Sequence, residues 1–150
     1  MATTSTAVTA RTALHAALNT GELQGNAYFG WPGPEGDSKN ELLWIDGIVD
    51  WTQAIPNIKA GRVQRQETFT FEVVLLVSTP DLTSADLADA MARAFVLAAV
   101  VENALADDVQ LEETGIQRFE LTGREYAEEP YEKGWRVLIT MNVEVHARLT

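Results

Sequence analysis

The end of the chain alternates apolar and polar side chains without a break. Every odd position from 135 to 149 is apolar: Trp135, Val137, Ile139, Met141, Val143, Val145, Ala147 and Leu149. A period of two is that of a β-strand with one buried face. At about 3.3 Å per residue this strand would be nearly 50 Å long, well beyond the usual five or six residues. We therefore predict a strand that protrudes, bends or pairs beyond its own domain.

A second alternating segment runs from Glu67 to Ser78. Its odd positions are all apolar: Phe69, Phe71, Val73, Leu75 and Val77. This face is predicted to lie in the core. The opposite face is also partly apolar, since it carries Val74 and Leu76, which predicts that something covers it as well.

Two helices are predicted from apolar residues at three- and four-residue spacing. The first spans 6–19, and the second starts after Thr83, which with Asp86 approximates a capping box. The residues expected along the buried side of the second helix are Leu87, Met91, Phe95, Ala98 and Leu105. Its middle, 94–101, is apolar almost all round, which predicts a sheet on one side and another helix or subunit on the other.

Turn residues divide the first half of the chain. We predict a strand at 26–31, an exposed loop at 31–40 that is rich in Pro and Gly, and a second loop at 56–61. Asp46-Gly47 lies between two apolar runs, which favours a type I′ hairpin; a glycine bulge in one bent strand is the alternative.

In the second half, residues 115–122 predict a modest strand, and the Glu-rich stretch 123–134 predicts an acidic loop. The whole pattern predicts the α+β class, with a mixed or antiparallel sheet of long strands and the helices packed on one face.

Composition limits the protein class. The chain has 150 residues, which fits one domain over 1–150, and it has no cysteine, which excludes a disulfide framework or a thiolate metal site. The longest apolar run, 94–101, is too short to cross a bilayer, and the first residues lack the apolar core of a secretory signal. We expect a soluble, unprocessed protein with no membrane partner.

The net charge of −11 is unevenly distributed. The stretch from Glu102 to Glu132 contains ten acidic residues and only two basic ones, Arg118 and Arg124, so its net charge is −8. The last eighteen residues have a net charge of +2. Nucleic-acid binding through a basic patch is therefore not expected. An acidic wall would still let DNA pass without adhering.

The sequence offers no motif for catalysis. Its two histidines, His15 and His146, have no obvious partner, and no serine lies in a strand-to-helix nucleophile elbow. Gly30, Gly33 and Gly36 are interrupted by prolines, so a turn-rich loop is favoured over a phosphate loop. We expect no enzymatic activity and no cofactor.

Two groups of carboxylates are candidate ligands for a cation. They lack the alternating spacing and turn glycine of a calcium loop, so solvated acidic loops are favoured and no metal is expected. The two groups are Asp107, Asp108, Glu112 and Glu113, and Glu125, Glu128, Glu129 and Glu132.

Three tryptophans, Trp31, Trp44 and Trp51, fall close together in the chain. Such residues are enriched at interfaces, but core packing is the favoured interpretation because bulky aromatics also dominate cores. Trp135, which opens the apolar face of the last strand, is predicted to be core.

The order and spacing of several segments resemble the tail terminator proteins of long-tailed bacteriophages, which are related to tail-completion and head-tail connector proteins. The resemblance covers about residues 6–150. The segments are Trp44-Ile45 and Trp51 ahead of a loop, the charged lead 65–69 into a valine-rich strand, the helix end 101–105 followed by Asp107-Asp108, and Gly134-Trp135-Arg136 opening the final strand.

The resemblance implies a structural virion protein of the tail and neck, assembled in the host cytoplasm. It implies a homohexameric ring that caps the tail tube, ends its polymerisation and meets the head-side connector, with DNA passing through the lumen. A connector or tail-completion protein of the same neck is the alternative, and a small ligand-binding or enzymatic domain with its pocket under the 31–40 loop is the hypothesis from another class.

Rings use heterologous interfaces, in which one patch meets a different patch on the neighbour. The acidic 102–132 stretch would meet basic residues of the adjacent subunit, and the even face of the last strand would contact a neighbour. The predicted subunit or tube interface consists of Arg62, Arg65, Glu67, Thr70, Glu72, Val74, Leu76, Arg136, Leu138, Asn142, Glu144, His146 and Arg148.

Overall fold

The computed structural model describes residues 5–33, 39–59, 62–106, 115–132 and 134–149. These contain two α-helices and five strands: α1 (Ala7–Leu18), β1 (Ala27–Tyr28), β2 (Glu41–Lys59), β3 (Arg62–Ser78), α2 (Ser84–Leu105), β4 (Ile116–Tyr131) and β5 (Gly134–Leu149). None of the helices in the described ranges is long and apolar enough to cross a membrane.

The strands form one sheet in the order β1-β2-β3-β5-β4. β1 runs parallel to β2, and the other neighbours are antiparallel. Both helices pack into one apolar core with the same face of the sheet. The predicted α+β class, with a mixed sheet of long strands and helices on one face, is confirmed.

The alternating C-terminal strand, β5, lies inside the sheet. It pairs with β3 from Arg65↔Leu149 to Ser78↔Arg136 and with β4 from Ile116↔Ala147 to Tyr131↔Gly134. Of the three predicted alternatives, protrusion and pairing beyond the domain are wrong, because β3 and β4 are about as long and pair along it, and the alternative of a bend stays a prediction. Its odd face is buried as predicted from Val137 to Ala147, whereas Trp135 is only half-buried.

β4 is longer than the sequence suggested. The predicted acidic loop at 123–134 is wrong up to Tyr131, since this stretch continues β4 along the edge of the sheet. An edge strand tolerates Pro130, which donates no backbone hydrogen bond, and its glutamates are solvated there. The many acidic residues of this segment therefore made a strand look like a loop in the sequence.

β2 is one continuous strand through Asp46-Gly47. The hairpin prediction is wrong and the glycine bulge is correct, because the pairing with β3 shifts between Ile45 and Gly47. The predicted loop at 56–61 is likewise wrong up to Lys59, while 60–61 lie outside the described residues. A further shift between Ala54 and Asn57 brackets Pro56, which cannot donate to a ladder.

α2 begins as predicted, with the Thr83 hydroxyl accepting a 3.1 Å hydrogen bond from the Asp86 amide. Its buried face is rotated from the predicted one, and consists of Ala90, Ala94, Leu97, Ala98, Val101 and Leu105. Met91 and Phe95 are exposed by 41% and 50%. Small alanines let the helix approach the sheet closely, so the larger side chains lie to one side.

Arg93 ties α2 to β2. Its Nε donates to Glu41 at 2.6 Å, and a second guanidinium nitrogen donates to Glu22 at 2.7 Å. The hydrogen bond to Glu41 is the main cause that raises the pKa of Arg93 above its ordinary value. This clamp holds the helix across the start of β2.

The face of the sheet opposite the helices, here called the open face, has a small apolar cluster of its own. Leu42, Trp44, Val74 and Leu76 are buried there, with Tyr28 and Leu138 packed against them. The expected cover over Val74 and Leu76 therefore comes from within the chain. Among the tryptophans, Trp44 is core as predicted, but Trp31 and Trp51 are exposed by 52% and 53%.

Candidate assembly surfaces

Two opposite edges of the sheet carry uncovered apolar side chains. One is the outer side of β2, with Ile48, Val49 and Trp51, here called the β2 edge. The other is a groove between α2 and β4, here called the α2–β4 groove, whose apolar lining is Phe95, Ala98, Ala99, Tyr126 and Ile139. The two surfaces differ in shape and chemistry.

The α2–β4 groove exists because β4 changes character along its length. Phe119 is buried and Leu121 packs against the core, but the pairing with β5 shifts between Leu121 and Gly123. Beyond this shift β4 carries polar residues, and α2 does not close over them. Phe95 instead stacks on Tyr126, with ring centres 5.5 Å apart and planes 12° from parallel.

Tyr126 is held in a protonated form by its surroundings. Burial is the larger cause, and a 2.7 Å hydrogen bond from its hydroxyl to the Glu128 carboxylate is the next, which together raise the pKa of Tyr126 to about 12. The ring thus presents an uncharged aromatic wall to the groove at any physiological pH.

The rim of the α2–β4 groove is acidic. Glu102 pairs with Arg124, and both line the groove beside Glu125. In the lining the two carboxylates outnumber Arg124 by one, and Glu128 and Glu129 follow further along β4 without lining the groove. An apolar groove with such a rim favours a partner that is apolar and basic.

The β2 edge is uncovered because β1 is short. β1 pairs only with Leu43 and Trp44, so no described strand lies outside the rest of β2. Ile48, Val49 and Trp51 are exposed by 44%, 56% and 53%. These are large apolar exposures for adjacent positions on one strand.

Glu67 fixes the position of Trp51 and of the start of α1. This side chain is 1% exposed. Its carboxylate accepts hydrogen bonds from the Trp51 indole at 2.8 Å, the Thr6 amide at 2.8 Å and the Ser5 hydroxyl at 3.0 Å. An anion at the start of a helix is favoured by the helix dipole and by the free amide groups.

The β2–β3 hairpin extends past the rest of the sheet. The pairing of β3 with β5 begins only at Arg65. The three β2–β3 pairs before it therefore lie beyond the end of β5, and they extend the hairpin by about 10 Å: Lys59↔Arg62, Ile58↔Val63 and Asn57↔Gln64. From Trp51 to Gln66 the sequence has three basic residues, Lys59, Arg62 and Arg65, and no acid. The hairpin end is therefore basic, while the groove at the other edge is acidic.

The structure places the predicted interface residues in three environments. Glu67, Val74 and Leu76 are buried within the chain and are removed from the candidate surface. Arg62 and Arg65 lie in β3, but their side chains are outside the described ones. The rest are half-buried, apart from the exposed Arg148: Thr70, Glu72, Arg136, Leu138, Asn142, Glu144 and His146.

Register brings most of these residues together on the open face. Thr70 is opposite Glu144 and Glu72 is opposite Asn142 across β3 and β5, while Arg136 lies over the Tyr131 ring at 4.5 Å. His146 has partners after all, since its Nε2 lies 2.6 Å from Glu144. Its further neighbour Glu120, 3.8 Å away, could not be assigned from sequence, because it lies on β4.

The α2–β4 groove was also missed. The only signal was the helix segment 94–101 that is apolar all round, which predicted a second contact for α2. The contact between Tyr126 and Phe95 could not be predicted from sequence, because the acidic stretch that contains Tyr126 is typical of a loop.

Comparisons with known proteins add no relative. The chain matches none of the protein-family models, and a search of curated proteins also found no match. The function is therefore inferred from the chain's own surfaces and from the resemblance described above.

Proposed function

We propose that this protein is a structural virion protein that forms a closed ring of identical subunits, the tail terminator of a long-tailed bacteriophage. The observation that carries the proposal is the presence of two unlike, uncovered surfaces at opposite edges of one sheet. A subunit with two different complementary patches makes heterologous contacts, and such contacts close into rings when the rotation between subunits allows it.

The chemistry of the two surfaces favours their contact with each other. The β2 edge offers Trp51, Ile48 and Val49 beside a basic hairpin end, and the α2–β4 groove offers Phe95 and Tyr126 behind an acidic rim. Aromatic anchors in a desolvated centre with charges around them are typical of stable interfaces. In the proposed ring, the β2 edge of each subunit contacts the α2–β4 groove of the next.

The charge of the chain fits a channel for DNA. A ring built from subunits of net charge −11 presents an acidic lumen where the excess carboxylates outside the subunit contacts face its centre. Such a lumen repels the phosphate backbone and limits adhesion. In the proposed neck, DNA passes through the ring without specific binding, and the ring faces meet the tail-tube protein and the head-side connector.

The test is to measure the solution mass of the purified protein and then image it with its polymerising tail-tube protein by electron microscopy. We expect rings, homohexameric as in the family it resembles, and tubes that are capped and shorter on average. A ring with no effect on tubes would identify the connector alternative. A monomer that leaves tube length unchanged would refute both.

Charge exchange tests the subunit contact separately. The triple variant Lys59→Glu, Arg62→Glu, Arg65→Glu is expected to stay monomeric. Combining it with Glu125→Lys, Glu128→Lys, Glu129→Lys should restore the ring, because the two rims again have opposite signs. If the first variant forms rings with unchanged salt dependence, the proposed contact is wrong.

A further inference from the structure

We propose that Glu120, Glu144 and His146 form a binding site for a divalent transition-metal ion such as Zn²⁺ on the open face of the sheet. The site lies where β4 and β5 pair, opposite the helices, and is separate from the α2–β4 groove. Nothing in the proposed ring function requires it.

The register of the sheet brings the three side chains together. Glu120 and Glu144 are direct partners across β4 and β5, and His146 lies two residues along β5, on the same face. Their ligand atoms all lie within 4.8 Å of one another, with His146 Nε2 at 2.6 Å from Glu144 and 3.8 Å from Glu120. Ligands about 2.1 Å from a tetrahedral ion are about 3.4 Å apart, so small rotations of these three side chains are enough.

Without a metal ion, the charges and hydrogen bonds of these three side chains are in conflict. Two carboxylates directly opposite each other on neighbouring strands repel. The guanidinium of Arg118 lies 3.4 Å from His146 Nε2 and 3.7 Å from Glu120, while Glu144 lies 2.6 Å from the same Nε2. One ring nitrogen cannot donate a proton to Glu144 and accept one from Arg118 at the same time.

A metal ion resolves both conflicts. Neutral imidazole offers its Nε2 lone pair, the two carboxylates offer oxygens, and the ion's charge replaces that of Arg118. Arg118 is free to withdraw, since its side chain is 60% exposed. One nitrogen and two oxygen ligands favour Zn²⁺ and similar ions over Mg²⁺ or Ca²⁺, which prefer oxygen only. Water fills the remaining coordination positions.

The chain provides a matched control. It has two histidines, so imidazole ligation can come only from His15 or His146. His15 lies on α1, with its Nε2 2.9 Å from the Ala27 carbonyl. Replacing each histidine in turn therefore separates the proposed site from adventitious binding.

The experiment is calorimetric titration of tag-free protein with ZnCl₂, supported by the visible absorption of bound Co²⁺. We expect saturable one-to-one binding that is lost in His146→Ala and kept in His15→Ala. Glu120→Gln should weaken binding more than tenfold, because it removes a direct ligand and the loss of an outer-shell partner alone costs about tenfold or more. Arg118→Ala should tighten it about two- to fivefold, because a competing cation is removed.

Circular dichroism of each variant checks that the fold is kept. The Co²⁺ spectrum adds a readout that a merely structural role for His146 would not change. Absence of saturable binding, or equal binding by His146→Ala and the parent protein, would overturn the proposal. Loss of ring formation would not affect this outcome, since the titration can be run on monomers or rings.

Discussion

The indole nitrogen of Trp51 donates a 2.8 Å hydrogen bond to the buried carboxylate of Glu67. The same carboxylate accepts from Ser5 and Thr6, the two residues just before α1, so one side chain connects the start of a helix to an exposed aromatic ring on the β2 edge. The orientation of Trp51, and with it the shape of a candidate interface, depends on a residue that is itself out of reach of any partner.

Replacing Glu67 should destabilise the fold. Glu67→Ala leaves the buried Thr6 amide and the half-buried donors of Ser5 and Trp51 without their acceptor, and is expected to cost about 3 kcal/mol. Glu67→Gln should cost about 1–2 kcal/mol. One of the two accepting oxygens becomes an NH₂ group, which cannot accept the hydrogen bonds that this oxygen received. Urea denaturation measures both values. As a control, the exposed Gln66→Ala should change stability little, and an equal loss there would contradict the assigned role of Glu67.

Phe95 should matter for assembly more than its exposed neighbour does. Phe95→Asp removes the stack on Tyr126, which costs about 1 kcal/mol of stability, and puts a charge into the α2–β4 groove. We expect it to abolish ring formation in solution-mass measurements. Val96→Asp is the matched control, since Val96 is 49% exposed on the same helix but does not line the groove. Equal loss of rings in both variants would count against the groove.

Tyr126 should titrate at a higher pH than a tyrosine ordinarily does. Its folded-state pKa is raised from about 10 to about 12, so the folded protein binds the hydroxyl proton more tightly than the unfolded chain does. The resulting stabilisation is complete below pH 10 and is lost as the pH rises through 12. Tyrosinate absorbance should show a late step that is missing in Tyr126→Phe and earlier in Glu128→Gln. An unchanged late step in Tyr126→Phe would assign it elsewhere.

Gly134 should not tolerate a side chain. A Cβ there would collide with the Thr79 carbonyl oxygen and lie 2.9 Å from its carbonyl carbon. That backbone cannot withdraw easily, because the Thr79 amide donates to the Trp135 carbonyl at 2.9 Å. Gly134→Ala should therefore cost about 2–3 kcal/mol.

Gly123→Ala is the control for this clash. Its nearest new contact is the Asn142 side-chain nitrogen at 3.4 Å, the movable end of a side chain. We expect a change within about 0.5 kcal/mol in thermal or urea denaturation. Similar losses at both glycines would show that strand propensity, not the contact with Thr79, decides the effect.

Periodicity predicted much of the fold and little of the candidate surfaces. Strict alternation located β5 and the core face of β3, and Thr83 located the start of α2, because these signals are local. The acidic half of β4 was missed, since its exposure on an edge strand removes the apolar alternation that marks a strand. The pairings of Phe95 with Tyr126 and of His146 with Glu120 depend on how distant segments align, which no local pattern contains.

The position of β5 also has a consequence for the order of folding. It is the last of the described strands in the chain, yet it is the strand that joins the two hairpins into one sheet. A two-stranded hairpin alone is only marginally stable in water. A growing polypeptide that has not yet reached Gly134 therefore has neither a complete core nor a finished α2–β4 groove. Incomplete chains should therefore be unable to join the proposed ring, so that only finished chains would be assembled.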